Sequence, residues 1–144
     1  IRMKAALVAH GVAGMALPLE IVISNDGDVP IFYGESNSPY GIRVRVFDRL
    51  GRPVPYTAYG KAHLEMEPKT SRFVERQLAS KASVRMNLNL MAYFDLTLSG
   101  EYTAEVQWIY WSNQGDWASA ANAEKEKAHT LNIDVLKFQI DETN

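Results

Sequence analysis

The chain has no cysteine, and this absence removes several kinds of chemistry at once. Disulfide bonds, thiolate catalysis and cysteine-ligated zinc are all excluded. A chain of 144 residues is long enough to bury a core without such cross-links, so we predict a single domain over residues 1–144. The missing cysteines leave the cellular compartment open, because a core of this size needs no disulfide outside the cell.

Net charge and long apolar runs are also scarce. The net charge is −2 at pH 7, which gives no electrostatic reason to expect nucleic acid or an anionic membrane as a partner. No segment reaches the ~18 apolar residues of a membrane helix, so we expect no membrane insertion. The apolar run near the start is broken by His10 and Gly11, which argues against a signal peptide there. The initial Ile1 favours a processed or trimmed start.

Sequence patterns typical of catalysis or metal binding are missing as well. His10, His63 and His129 lie in separate segments without the spacing of a zinc site. The chain has no G-x-S-x-G elbow and no phosphate-binding loop. Asp26 and Asp28, in N-D-G-D, lack the remaining oxygen ligands of a calcium loop and are typical of a turn. We therefore predict a protein that is not an enzyme and that has no metal and no cofactor.

What the sequence does contain is a period of two. Apolar and polar residues alternate strictly in five segments, and this is typical of half-buried antiparallel strands. Their apolar faces are predicted to be Leu17, Leu19, Ile21 and Ile23; Ile42, Val44 and Val46; Val84, Met86, Leu88 and Leu90; Tyr102, Ala104, Val106, Trp108 and Tyr110; and Leu131, Ile133 and Val135. Five such segments separated by turns favour an all-β sandwich or barrel.

The remaining segments complete this outline. Residues 4–9 are a candidate first strand and residues 72–78 a candidate edge strand, while Gly51 favours a tight turn that pairs the strand at 42–48 with residues 54–60. Residues 118–128 are rich in strong helix formers and lack an apolar stripe, which predicts a short surface helix before the last strand. The total is seven or eight strands and one inserted helix.

The stretch F-D-L-T-L-S-G-E-Y, which begins at Phe94, must cross from one sheet to the other. Gly100 supplies the backbone freedom for the bend. Tyr102 is placed to bury its ring while its hydroxyl reaches the backbone upstream, as in the tyrosine corner of Greek-key sandwiches. Asp95 is placed to cap the turn with its carboxylate. We predict that Asp95, Gly100 and Tyr102 form a structural corner.

Three motifs in this order resemble a group of bacterial immunoglobulin-like domains. They are N-D-G-D-V-P-I, F-D-R-L-G-R-P-V-P-Y-T-A-Y-G and L-x-L-M-A-Y-F-D-L-T-L-S-G-E-Y-T-A-E-V, within residues 17–110. The resemblance implies an immunoglobulin-like Greek-key β-sandwich in a secreted or cell-envelope protein, and its motifs carry no active site. The same order of parts is more loosely similar to the bacterial intracellular proteinase inhibitor family, also a β-sandwich.

One aromatic cluster is a candidate binding site. Trp111 and Trp117 lie close to three polar residues, Asn113, Gln114 and Asp116. Tryptophans beside directional polar groups are suited to stack on a sugar ring or to anchor a protein partner. The alternative is that the helix at 118–128 folds back and covers the two tryptophans as a small separate core. The loop at 33–41 is a second candidate for recognition.

These observations predict a non-catalytic binding or interaction module of a secreted or envelope-associated bacterial protein, with a protein or a glycan as its partner. Two alternatives stay open at this point. One is a protease inhibitor that presents an extended loop, and the other is a carbohydrate-binding module that uses Trp111 and Trp117. The sequence indicates neither the ligand nor the oligomeric state.

Overall fold

A computed structural model of the chain describes residues 1–7, 11–35, 41–63, 74–115 and 129–142. These residues are mostly β-strand and form two sheets, which confirms the all-β prediction at that level. The strands in the described residues are β1 Arg2–Leu7, β2 Gly11–Val12, β3 Pro18–Ser24, β4 Ile31–Glu35, β5 Arg43–Asp48, β6 Val74–Leu78, β7 Ser83–Asn89, β8 Gly100–Trp111 and β9 His129–Asp141. The same described residues contain two short helices, α1 Ala58–His63 and α2 Leu90–Tyr93.

The two sheets differ in size. The smaller sheet has the order β1-β3-β7, with both pairs antiparallel. The larger sheet has the order β2-β9-β8-β4-β6, and β5 also pairs with β8. Strand β8 is therefore paired with β9 over its whole length on one side, while β5 and β4 share its other side.

A single apolar core lies between the sheets. It draws residues from both of them, including Leu19, Ile21 and Leu88 from the smaller sheet and Val44, Val106 and Trp108 from the larger. Because the side chains of a strand alternate between two faces, one face of each sheet supplies this core. The apolar positions predicted for β3, β7 and β8 lie in the core or pack against it, so the phase of these strands is confirmed.

The predicted phase of β9 is wrong. Ile133 and Val135 point outward and are 53% and 52% exposed. The core-side face of β9 instead begins with the polar Asn132 and Asp134, opposite Trp108 and Val106 of β8. The reason is that β9 carries a second apolar set, of which Phe138 packs against the core and Ile140 lies in it. A strand can turn only one of two alternating sets toward the core.

The predicted hairpin between residues 42–48 and 54–60 forms only in part. Gly51 does close a turn, with its amide bonded to the carbonyl of Asp48. The returning chain pairs with β5 only close to the turn, through the bridge from Pro53 to Phe47 and the amide of Val54, which donates to the carbonyl of Val46. It then leaves β5 and forms a second isolated bridge, from Tyr56 to Phe94, before helix α1 begins. Thr57 explains the change, because its hydroxyl accepts the amide of Gly60, which is an N-terminal helix cap.

The other strand predictions have simpler outcomes. The predicted first strand, 4–9, and edge strand, 72–78, are confirmed over their described residues as β1 and β6, and β6 lies at the edge of its described sheet. Strand β4, Ile31–Glu35, was not predicted, because Pro30 precedes it, Gly34 lies within it, and residues 33–41 have the composition of a loop. The predicted helix at 118–128 lies outside the described residues. Within the described part of the chain, neither helix has the length and apolar character needed to cross a membrane.

Candidate functional site

The aromatic cluster at the end of β8 divides between the two faces of the larger sheet. Trp108 lies in the core and makes ring contacts with Tyr33 and Tyr110. Trp111 is opposite Phe32 of β4 and lies with it outside the main core. Trp111 is nevertheless only 2% exposed. Its ring is therefore not available as a stacking platform in this structure.

A carboxylate fixes the position of Trp111. The Oε2 atom of Glu75 on β6 accepts the indole Nε1–H of Trp111 at 2.8 Å. The same carboxylate accepts the amide of Gly115 at 3.0 and 3.1 Å. Glu75 thus joins an edge strand, the end of β8 and the turn that follows it. Charge-assisted hydrogen bonds of this kind are stronger than neutral ones.

The other residues of the predicted tryptophan site have different placements. Asn113 and Gln114 are exposed on the turn after β8. Asp116 and Trp117 lie outside the described residues, as does most of the candidate loop at 33–41. The ligand-binding role of these residues therefore stays a prediction, and the burial of Trp111 favours packing for that residue.

The corner before β8 is built around Tyr102. Its hydroxyl donates to the carbonyl oxygen of Leu98 at 2.6 Å, four residues upstream. Gly100 has φ of +144°, a value that glycine adopts without strain. The backbone amide of Asp95 donates to the carbonyl of Pro55, and its side chain is exposed. Burial raises the pKa of the Tyr102 hydroxyl, and the nearby charges of Asp48 and Asp95 raise it further.

On the side of β8 opposite β4 and β5, strand β9 has an edge that described strands cover only in part. In the described part of the chain, β2 covers only Ile140 and Asp141 of this 13-residue strand. The carbonyl of Asp141 accepts the amide of Ala13 and so points away from β8. Backbone groups two residues apart point the same way along a strand. The amides and carbonyls of Ile133, Val135 and Lys137 therefore point toward the open edge.

Asp134 partly closes this edge. Its Oδ1 atom accepts the edge amide of Val135 at 3.0 Å. Its Oδ2 atom accepts the amide of Ala5 in β1 at 2.8 Å. One carboxylate thus bridges the free edges of both sheets. An inward-pointing charge at a sheet edge is a known way to discourage uncontrolled pairing with other strands.

Two features beside this bridge lack a partner. The Nδ2 atom of Asn132 is buried and meets no hydrogen-bond acceptor in the described structure. On the opposite face of the same strand, Ile133 and Val135 expose about half of their surface. Buried donors without an acceptor are rare because each costs about 1–3 kcal/mol. The combination marks β9 as an incomplete edge.

The groove between β1 and β9 is basic on the β1 side. It is lined by Arg2 and Lys4 of β1 and by Asn132 and Asp134 of β9. The Arg2 guanidinium bonds to Asp26 at 2.6 Å and thereby holds the pKa of that carboxyl below its usual range. Arg2 is already paired with Asp26, and Asp134 supplies a negative charge across the groove from Lys4, so the lining does not select a strongly acidic ligand.

Sequence reasoning missed Asn132 and Asp134 because it assigned them to the outer face. The signal that could have found them is the polar pair inside a segment with two competing apolar sets. In the part of the chain that the structure describes, no three histidine or carboxylate side chains gather in a way that could hold a metal ion. No protein-family model and no curated protein matches this chain.

Proposed function

We propose that this chain is a non-catalytic, immunoglobulin-like interaction module that binds protein partners by adding a strand at the open edge of β9. The observation that carries the proposal is this edge, where no described strand pairs with β9 between Ile133 and Phe138 and two apolar residues, Ile133 and Val135, are exposed. In strand addition, main-chain hydrogen bonds supply affinity and alternate side chains supply specificity. The β9 edge is suited to this mode, because the backbone amides and carbonyls of at least three of its residues point outward.

The order of strands supports the immunoglobulin-like part of the proposal. Strands β1, β3 and β7 correspond to A, B and E of such a sandwich, and β5, β8 and β9 correspond to C, F and G. The start of the chain divides between the sheets, since β1 pairs with β3 and β2 pairs with β9. The hydrogen bond from Tyr102 to Leu98 lies at the start of the F-like strand, where a tyrosine corner belongs.

The partner chemistry follows from the edge. Backbone amides and carbonyls recognise another extended polypeptide, whereas a net charge of −2 offers nothing to nucleic acid. The resemblance to bacterial immunoglobulin-like domains further suggests a secreted or envelope-associated protein. The burial of Trp111 favours strand addition over sugar stacking on that ring. No described contact favours a protease-inhibitory loop over the β9 edge.

Selection of displayed random peptides on the folded protein tests this function. Peptides that bind the β9 edge should lose binding to Val135→Pro, because proline removes the edge amide while an edge strand tolerates it. Val135→Thr, which keeps the amide and the branched shape, is the matched control and should retain binding. Circular dichroism establishes that both variants fold. Failure to enrich any peptide that distinguishes the two variants would contradict the proposal.

A further inference from the structure

We propose that the strand added at β9 is β9 of a second copy of this chain, paired antiparallel with Ile133 opposite Ile133 across a two-fold axis. The inference rests on the proposed function, and it names the partner and the register. It starts from the two features that the structure leaves incomplete, the buried amide of Asn132 and the exposed pair Ile133 and Val135.

The register follows from which backbone groups face the edge. The odd-numbered residues of β9 point their amides and carbonyls outward, as the bond from Ala13 to Asp141 and the bond from Val135 to Asp134 indicate. In an antiparallel pair, residues with groups facing each other form the hydrogen-bonded pairs. A two-fold axis at Ile133 makes Ile133 pair with itself and places Val135 opposite residue 131 of the second copy. All the hydrogen-bonding residues are then odd-numbered, as the edge requires.

The same register satisfies the polar face. It places Asn132 opposite Asp134 of the second copy, and the two-fold axis repeats this pair. These are non-hydrogen-bonded positions, where opposing side chains come closest, with Cα atoms about 4.5 Å apart. The Nδ2 donor of Asn132 is buried without an acceptor in the single chain, and it meets a carboxylate acceptor once the side chain rotates toward the second copy. Moving the axis one residue along the strand to Asp134 would instead bring two carboxylates together, which is unfavourable.

Asp134 must exchange one hydrogen bond when this interface forms. In the single chain its Oδ1 atom holds the amide of Val135, which is one of the amides that the second strand needs. When the second copy binds, Asp134 releases that amide and accepts the amide group of Asn132 from the second copy. The number of hydrogen bonds to Asp134 is conserved, so edge protection in the monomer and pairing in the dimer use the same carboxylate.

The outer face contributes apolar contact. Ile133 and Val135 of both copies lie on one continuous face of the joined sheet. On β8, Gln107 lies opposite Ile133 and Glu105 lies opposite Val135. The apolar contact is therefore bordered by polar side chains. Aliphatic contact at the two-fold axis surrounded by polar residues matches the usual anatomy of protein interfaces.

Cysteine cross-linking tests the register in this cysteine-free chain. Hydrogen-bonded antiparallel pairs have Cα atoms about 5.5 Å apart, within the range of a disulfide. Ile133→Cys should therefore form a covalent dimer under mild oxidation. Val135→Cys is the matched control, since it is equally exposed but lies about 14 Å from its own copy, four residues along the strand. Equal cross-linking at both positions, or none at Ile133→Cys, would overturn the register.

A charge exchange tests the polar pair, read by sedimentation velocity across a wide concentration range. Asn132→Asp should weaken dimerisation about tenfold, because it sets like charges opposite each other twice. The double variant Asn132→Asp with Asp134→Asn should restore dimerisation, because the pair is only reversed. Asn113→Asp, an exposed change of equal charge, is the control and should leave association unaltered.

Sedimentation of the unmodified chain decides the partner. A dimer that dissociates on dilution is the expected result, and a monomer at every concentration would overturn the second-copy proposal. If the monomer still selects peptides that Val135→Pro rejects, the interaction module stands and only its partner is different. If both experiments fail, both proposals fall.

Discussion

At the scale of single residues, several polar side chains of this protein bond to main-chain groups rather than to other side chains. The amide of Asn25, which is buried, donates to the carbonyls of Val29 and Leu78. Tyr102 donates to the carbonyl of Leu98, and Asp134 accepts the amides of Ala5 and Val135. Each of these bonds satisfies a backbone group that a strand or turn would otherwise leave open.

Tyr102→Phe should lower the free energy of unfolding by about 1 kcal/mol at neutral pH, the usual net value of one hydrogen bond. Urea unfolding followed by circular dichroism measures this change. Tyr110→Phe is the matched control, because it removes a hydroxyl from the far end of the same strand and leaves the Tyr102 bond intact. An equal loss in both variants would contradict a special role for the corner.

The same substitution should change the dependence of stability on alkaline pH. Burial raises the pKa of Tyr102 above its ordinary value, so the folded chain holds the phenolic proton more tightly than the unfolded chain. The free energy of unfolding therefore falls as pH rises past about 10. Tyr102→Phe should make this fall shallower in urea titrations at successive pH values, and an unchanged slope would contradict the raised pKa. Tyr93, whose pKa burial also raises, accounts for part of the remaining slope.

At the scale of elements, the end of β8 depends on a neighbouring strand for its order. Glu75 of β6 holds both the indole of Trp111 and the amide of Gly115. This carboxylate is the described polar link between an edge strand and the turn that leaves β8. The turn carries Asn113 and Gln114, so its position determines how those residues are presented.

Glu75→Ala should lower the free energy of unfolding by about 1–3 kcal/mol, because the buried indole of Trp111 loses its acceptor. Glu75→Gln keeps one acceptor oxygen and should lose less. Gln77→Ala, an exposed change on the same strand, should have almost no effect. Urea unfolding measured by tryptophan fluorescence compares the three variants. A loss in Gln77→Ala as large as in Glu75→Ala would show that the effect belongs to β6 in general.

The strands also show which buried faces could be predicted from the sequence and which could not. Strands β3, β7 and β8 each have one apolar set, so their alternation determines which face is buried. Strand β9 has two sets, and local alternation cannot choose between them. The long pairing with β8 makes the choice, because Phe138 packs beside Tyr102 in the register of the sheet. The open edge lies in this strand, so the candidate site could not be predicted either.

Helix α1 shows a second limit. Residues 54–60 contain valine, tyrosine and threonine, which favour β-strands. The chain becomes helical where α1 meets α2, with the amide of Thr57 bonded to the carbonyl of Tyr93 and its hydroxyl donating to that of Ala92. Gly60 is required there, since a Cβ would overlap the carbonyl oxygen of Tyr93. Contacts between residues so distant in sequence are invisible to local patterns.

At the scale of the whole molecule, the shared core couples the two sheets. Leu88 in the smaller sheet and Trp108 in the larger sheet belong to one apolar cluster, and both are 1% exposed. Neither sheet can lose its inner face without exposing that of the other. We therefore expect a single cooperative unfolding transition.

Leu88→Ala should lower the free energy of unfolding by about 2–5 kcal/mol. The shift should be the same by far-ultraviolet circular dichroism and by tryptophan fluorescence, although the substitution and Trp108 lie in different sheets. Leu98→Ala is the control, since Leu98 is 75% exposed and should contribute little. Two separate transitions, or a shift seen by only one probe, would contradict a common core.

The bond between Ala5 and Asp134 joins residues 129 positions apart in the chain. Such distant contacts delay folding, and proteins dominated by them fold in about milliseconds to seconds. Strand β8 pairs with β9 along its whole length. During synthesis, this edge of β8 stays unpaired until residues 129–141 have left the ribosome. Strand β9 therefore determines how long the nascent chain has an unpaired strand that is open to non-specific association.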